Sequence, residues 1–462
     1  MLSGALAKWF EEASMKDTDS VGGKGASLGE MYQKLSGIGV KVPNGFTLTT
    51  QAFREFVNAD IPEATWDNVG NPEGIGDLRV RAIACKTLSS ALEVCLRDAD
   101  ASDHLGLNGR ASLARSLVRE TPVPETVKRA IGAEYSKLCD MYYPGVDVAV
   151  RSSATTEDSA EASFAGQYES YLNVSGESEI VEKWRRCVAS MFTERSVGYH
   201  LENDMHPLDS SIAVVVMKMA RSDKACSGVM FTIDPDSGHD GVIHIGSSYG
   251  LGELVVQGVV SPDTYTVWKK GLRMGKFPIV YRTLGGKEQM MVYNEESTNE
   301  VHTIQVSVEE RKKWSLTKEE CVSLAQMGLK IEDFFGKPMD IEWAKDGISN
   351  ELFIVQARPE TIHSKSSKSK MMLYKIDEKL TSKLKKDGRV VAEGQAVGTR
   401  VGTGMVRLYR TYSEVVQGRR ELQSLIDTGL APEEISSELS VFQNGDVLVT
   451  EMTTPDWEPL MK

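Results

Sequence analysis

No two of the six cysteines, at positions 85, 95, 139, 187, 226 and 321, are spaced as CxxC, and no Cys/His cluster occurs. That excludes a zinc-finger-type site and a disulfide scaffold, and it fits a reduced, cytoplasmic compartment. Apolar runs of the roughly 18–20 residues that span a bilayer are missing too. The first residues, MLSGALAKWFEEASMKD, carry early acids and no basic n-region ahead of an apolar stretch. They do not read as a secretory signal. Basic excess is also lacking: 53 Lys and Arg stand against 66 Asp and Glu, a formal net charge of −13. This balance disfavours non-specific contact with nucleic acid or anionic membranes, both of which need basic surface. Small anions remain open, because a few local cations decide their binding. No internal repeat and no GxxxxGK[ST] phosphate loop is present.

What is there describes an ordinary globular chain of 462 residues, 41% hydrophobic and 26% charged. That length exceeds one common core, so two to four domains or subdomains are expected. In VGGKGASLGEMYQKLS (21–36), Leu28, Met31, Tyr32 and Leu35 recur at the spacing of one buried helix face. A second helix is expected around 178–200, with Ile180, Val181, Trp184, Val188 and Met191 on one side. Strand character begins near 146 with VDVAVRSS. SIAVVVMKMA (211–220) and CSGVMFTID (226–234) read as neighbouring buried strands, and VIHIGSSYGLGE (242–253) as a strand entering a glycine loop. KPMDIEWAKDGISNELFIVQARPE (337–360) reads as two strands joined near Asp346-Gly347. The stretch HSKSSKSKMM (363–372) is the clearest linker, and 373–462 forms a smaller unit rich in Gly and Val.

Four constellations carry chemistry. In GGKGAS (22–27), glycines ahead of a helix let backbone N–H groups approach an anion, and Lys24 adds a mobile positive charge. The same glycines also suit a plain tight turn. In VRSSATTEDSAEASFAGQYES (150–170), Arg151 follows a buried strand directly, and a guanidinium fork matches phosphate oxygens. In the 337–360 hairpin, Asp340 and Glu342 lie two apart on one strand and share a face, as do Gln356 and Arg358 on the return strand. Folding the strands together brings the acids to the Gln–Arg pair, a donor set suited to Mg²⁺ and substrate phosphates. A surface ladder of cross-strand pairs would use the same residues. In GSSYGLGELVVQGVVSPDTYTV (246–267), glycines allow close approach of a ligand and Glu253 is placed to accept from ribose hydroxyls.

GGKGASLGEM, VRSSATTEDSAEASFAGQYES, SGVMFTIDP, GLGELVVQGVVSPD, DIEW…FIVQARPET and GDVLVTEMTTPDWEPLMK follow one another in that order. This order resembles the phosphoenolpyruvate synthase (pyruvate, water dikinase) family over nearly the whole chain. Pyruvate, phosphate dikinases instead carry a Met- and Gly-rich loop after the arginine. Rifampicin phosphotransferases insert a drug-binding domain where only some thirty residues separate ARPET from GQAVGTRVGTGMV here. Glucan, water dikinases place starch-binding domains ahead of a GGKG motif that here begins at residue 22.

The resemblance implies an α+β chain with an ATP-grasp nucleotide-binding fold of the pyruvate phosphate dikinase N-terminal type over 1–362, with subdomains about 1–205 and 206–362. An incomplete β/β/α swivelling domain is implied over 373–462. It assigns Lys24 and Arg151 to ATP phosphates, and Asp340, Glu342, Gln356 and Arg358 to metal and nucleotide. Glu253 becomes a ribose contact, with ATP and Mg²⁺ as cofactors. In the family, TPDWEP is followed shortly by a TCHA-type segment whose histidine carries the phosphoryl group. None of the seven histidines here lies in such a segment. The expectation is therefore the ATP-binding part of an enzyme making AMP, phosphoenolpyruvate and phosphate from ATP, pyruvate and water. Pyruvate would be reached only through a further C-terminal domain, and the part read here would be inactive alone. A non-catalytic ATP-binding paralogue, or one half of a split dikinase, remains open beside it, as does a homodimer.

Overall fold

The computed structural model describes residues 5–101, 103–155, 168–294, 301–361, 378–390, 402–412, 414–415, 417–418, 442–450, 453 and 457. The loop 156–167, the linker 363–372, all of 394–401 and most of 451–462 lie outside these residues. The chain divides into two compact units, Met1–Ser366 and Ser367–Lys462.

The first unit contains two antiparallel sheets. Sheet one comprises β1 (Ala7–Trp9), β2 (Gly45–Leu48), β3 (Val148–Ala154), β4 (Ser170–Val174) and β5 (Ile212–Lys218), ordered β1-β2-β5-β3-β4. Sheet two comprises β6 (Cys226–Phe231), β7 (Val242–Tyr249), β8 (Asp263–Trp268) and β9 (Ile279–Thr283), then, beyond a separate hairpin of β10 (Gln289–Tyr293) and β11 (Val301–Gln305), β12 (Met339–Lys345) and β13 (Leu352–Pro359). Its order is β13-β12-β6-β7-β8-β9.

Sheet one is covered on both faces, which is why its central strand β5 reads as an unbroken apolar run from Ile212 to Met217. Val148, Val150, Val214 and Val216 face a helical layer that includes His104–Glu120, Glu125–Met141 and Glu177–Ala189. Ala149, Val215 and Met217 face the opposite way, into a core shared with sheet two. Each fully buried aliphatic side chain of this kind contributes about 1.5–3 kcal/mol. The helix expected at 178–200 is two helices, Glu177–Ala189 and Glu194–Glu202, because Thr193 turns extended and caps the second one through Ser196 N–H.

The strands at 211–220 and 226–234 are not neighbours. β5 pairs with β2 and β3, whereas β6 pairs with β7 and β12. The polar segment Arg221-Ser-Asp-Lys-Ala225 separates them and carries the chain from one sheet to the other. Arg221 there is held by Asp223 and lies 4.2 Å from the ring of Tyr293.

In the second unit, the helix Glu378–Lys386 precedes a parallel pair, β14 (Val406–Leu408) with β15 (Val447–Val449). Tyr409, Val415 and Trp457 form its small core. Among the described residues no helix is long and apolar enough to cross a membrane.

Candidate functional site

The site begins with a glycine. Gly22 adopts φ +70° and interrupts the helix Thr18–Leu35 one turn after its start. A Cβ there would lie 1.9 Å from the Ser153 carbonyl oxygen, so only glycine lets this turn press onto β3. The Ser153 hydroxyl fastens the contact, donating to Val21 C=O at 2.8 Å and accepting from Gly25 N–H at 3.0 Å. Lys24 is therefore buried, with its Nζ donating to the Ser152 carbonyl at 2.7 Å. This corrects the expectation of a mobile positive charge. The helix also docks on sheet two, where the Ser27 hydroxyl donates to Ala357 C=O at 2.7 Å.

Sheet two supplies the acids. On β12, Met339, Ile341 and Trp343 enter the core, which turns Asp340 and Glu342 to the other face. Asp340 stands opposite Arg358 and Glu342 opposite Gln356 on β13. The register then shifts, placing Trp343 opposite Ile354, so Val355 is an extra residue. This bulge lets Ile354 face the core while Gln356, two residues on, faces the site. The carbonyl of Val355 accepts from Arg151 Nη1 at 3.0 Å.

Arg151 crosses from sheet one. Its Nη2 donates to Glu342 Oε2 at 2.6 Å and to Gln356 Oε1 at 3.0 Å. Arg358 donates through Nε and Nη2 to Asp340 Oδ2, at 2.9 and 2.8 Å. Burial pushes the Glu342 carboxyl up, but the Arg151 charge, the Arg151 hydrogen bond and Lys24 together hold it below the usual carboxylate range. Burial dominates at Asp340 and raises its pKa despite Arg358, with Glu342 and Glu360 adding to the rise. Two neighbouring carboxylates thus differ in their readiness to lose charge.

Lys24, Arg151, Asp340, Glu342, Gln356 and Arg358 converge in this way. Glu253 does not join them. It is exposed at the start of the short helix Glu253–Val256, and its carboxylate accepts from Gln257 at 3.0 Å. The loop before it is closely packed, with Gly250 at φ +82° and Leu251 N–H donating to Met291 C=O at 2.9 Å.

Sequence reasoning missed Ser153 and the Val355 bulge. A Ser-Ser pair ending an otherwise apolar strand was a signal for the first. Nothing in FIVQARP announces the second. Among the described histidines, His200 is buried between Ser196 C=O (2.7 Å) and Ser210 Oγ (3.1 Å), and burial lowers its pKa. His244 lies within β7, and His239 is exposed.

The family model described as pyruvate phosphate dikinase, AMP/ATP-binding domain, matches residues 18–379. The chain belongs to this family. Every converging residue of the site lies within the matched span of this AMP/ATP-binding family member. The chain is similar to the phosphoenolpyruvate synthase of Synechocystis sp., at 39% identity over 99% of the chain and 50% of the relative. It is 38% identical to that of Aquifex aeolicus, over 100% of the chain and 48% of the relative. Identity to that of Escherichia coli is also 38%, over 100% of the chain and 51% of the relative. The chain thus spans about half the length of the curated relatives it matches.

Proposed function

We propose that residues 1–362 form an ATP-grasp nucleotide unit that binds Mg²⁺-ATP for a phosphoenolpyruvate synthase reaction. Residues 373–462 would contribute to a β/β/α swivelling domain. The observation that supports this most is Arg151, which reaches across to Glu342 and Gln356 beside buried Lys24. Three cations and two carboxylates in one crevice are the charge set that a metal–triphosphate complex requires.

Asp340 and Glu342 would hold Mg²⁺. The fit rests on their hard oxygen donors and on their position on one face of β12. Among the described residues no group of three or more His, Cys, Asp or Glu gathers as a metal cage. A two-carboxylate site completed by phosphates agrees with this. When bound, the metal neutralises phosphate charge and fixes the transferred group.

The protein's own part is positioning. Arg151 now pairs with Glu342, and Arg358 with Asp340. Carboxylates engaged by metal would release both guanidinium forks to phosphate oxygens at no cost in net pairing. Gly22 fixes the turn that holds Lys24 against β3. Glu253 is proposed as a ribose contact from the glycine loop. The phosphoryl acceptor is proposed to be a histidine supplied from outside residues 1–462, with pyruvate bound there too. The chain alone would then bind nucleotide without completing turnover.

Titration of ATP by calorimetry, with and without Mg²⁺, tests this reading. Saturable binding that Lys24→Ala and Arg151→Ala abolish is expected, with only background pyruvate-dependent AMP release. ATP binding that ignores both substitutions would overturn it and favour a non-catalytic paralogue acting through a partner.

A further inference from the structure

On the far side of sheet one lies a cavity of about 120 Å³, lined by Arg115, Arg119, Glu169, Tyr171, Arg186 and Ala189. Arg151 and Ser170 are cross-strand partners and share a face. Tyr171, next to Ser170 on β4, points to the opposite face, and with Glu169, just ahead of the strand, it lines the cavity there. The cavity is therefore separated from the Lys24–Arg151 crevice by the sheet itself.

Three arginines and one carboxylate line this wall. Arg115 Nη2 donates to Glu169 Oε1 at 2.6 Å, and the Tyr171 hydroxyl donates to the other oxygen of the same carboxylate. Glu169 is thus fully engaged. Arg186 donates through Nε to Glu182 at 2.8 Å, an acid it shares with Arg185. The Nε–H of Arg115 is buried and has no acceptor among the described residues. Arg119 has no hydrogen-bond or ion-pair partner among the described residues. In a chain of net charge −13, an arginine cluster with a buried, unmet donor is unusual. A buried donor without an acceptor costs free energy that an anion would recover.

We propose that this cavity is a second anion site, selective for a phosphate-type oxyanion and independent of the nucleotide crevice. Arg119 and Arg115 are its principal ligands and Arg186 completes its charge. Its volume suits a tetrahedral oxyanion. It falls well below the roughly 300–1,000 Å³ typical of sites that enclose drug-sized molecules. The group bound is either free inorganic phosphate or the terminal phosphoryl of a metabolite whose remainder stays in solvent.

Inorganic phosphate and glycerol 3-phosphate are titrated separately into the full chain by calorimetry. Saturable millimolar binding is expected, and the preferred probe identifies the source. Arg119→Gln should weaken it by about tenfold, the scale of one charge-assisted hydrogen bond, whereas Arg151→Gln should change it by less than about twofold. Phosphate should also protect Arg119 from phenylglyoxal in the unaltered protein, a readout that needs no variant to fold. Absence of binding by both probes would overturn the proposal. So would binding lost in Arg151→Gln but kept in Arg119→Gln, or phenylglyoxal labelling of Arg119 indifferent to phosphate.

Discussion

Arg151 Nη2 donates to Glu342 Oε2 at 2.6 Å and so ties β3 of the first sheet to β12 of the second. The pair holds the site closed on itself, and its two halves have different proposed partners. Glu342→Gln should strengthen ATP binding in the absence of Mg²⁺, because Arg151 is released. It should also remove most of the gain that Mg²⁺ gives the unaltered protein. Arg151→Gln should destabilise the fold by roughly 3 kcal/mol, since Glu342 is left as a poorly solvated charge. Calorimetry with and without metal, and urea unfolding, read the two effects. Equal loss of affinity in both conditions for Glu342→Gln would remove Glu342 from the metal set.

Acid should act on the two carboxylates in opposite directions. Because the folded pKa of Glu342 lies below its unfolded value of 4.5, its pairing contributes stability that is full above 4.5 and lost as pH falls through the folded value. Asp340 has a folded pKa raised above 3.8, so its charged form costs stability at neutral pH, and that cost is relieved as pH falls. Glu342→Gln should therefore flatten the acid limb of the Tm profile, and Asp340→Asn should steepen it. Thermal melts from neutral pH down to below 4.5 check both signs.

Gly22→Ala should cost roughly 3 kcal/mol, combining positive-φ strain with overlap against the Ser153 carbonyl. ATP binding should fall with it, because Lys24 loses its seat. At Gly37 an added methyl group would meet nothing within 4 Å, so Gly37→Ala serves as the control and should stay within about 0.5 kcal/mol. Urea unfolding of the two variants gives the comparison.

A fully buried ion pair lies away from the site. Lys287 Nζ donates to Asp263 Oδ1 at 2.5 Å, with both side chains at 0% exposure. Asp263 also accepts from Gly285 N–H at 2.9 Å and Ser315 N–H at 2.8 Å. Lys287→Met should cost about 3–5 kcal/mol by stranding the carboxylate. The double variant Asp263→Leu, Lys287→Met should not recover this, because two backbone donors lose their acceptor. Recovery in urea unfolding would show that those amides find other partners.

The hairpin at 337–360 shows how much was legible. Asp340 and Glu342 share a face because strand periodicity is two, and the return strand puts Arg358 and Gln356 opposite them. The buried helix face of Leu28, Met31 and Leu35 followed from spacing alone. Glu253 was equally prominent in the sequence, and among the described residues its carboxylate accepts a hydrogen bond from Gln257 rather than from the converging residues, since a glycine loop does not fix where its acid points. The expected adjacency of 211–220 and 226–234 failed. Two apolar strands in succession do not reveal whether the short polar link between them turns within a sheet or crosses to another.

The sequence by itself determined the element types, the family and the residue pairs that lie on single strands, because these follow from local periodicity and from motif order. Tertiary structure alone decided that Lys24 is buried, that Arg151 meets Glu342 and Gln356, and that a bulge at Val355 turns Gln356 toward the site. It also decided that Arg115, Arg119 and Arg186 share one cavity behind β4. These facts depend on two sheets and a helix layer meeting in space, and residues more than a hundred positions apart carry no mark of that meeting until the chain has folded.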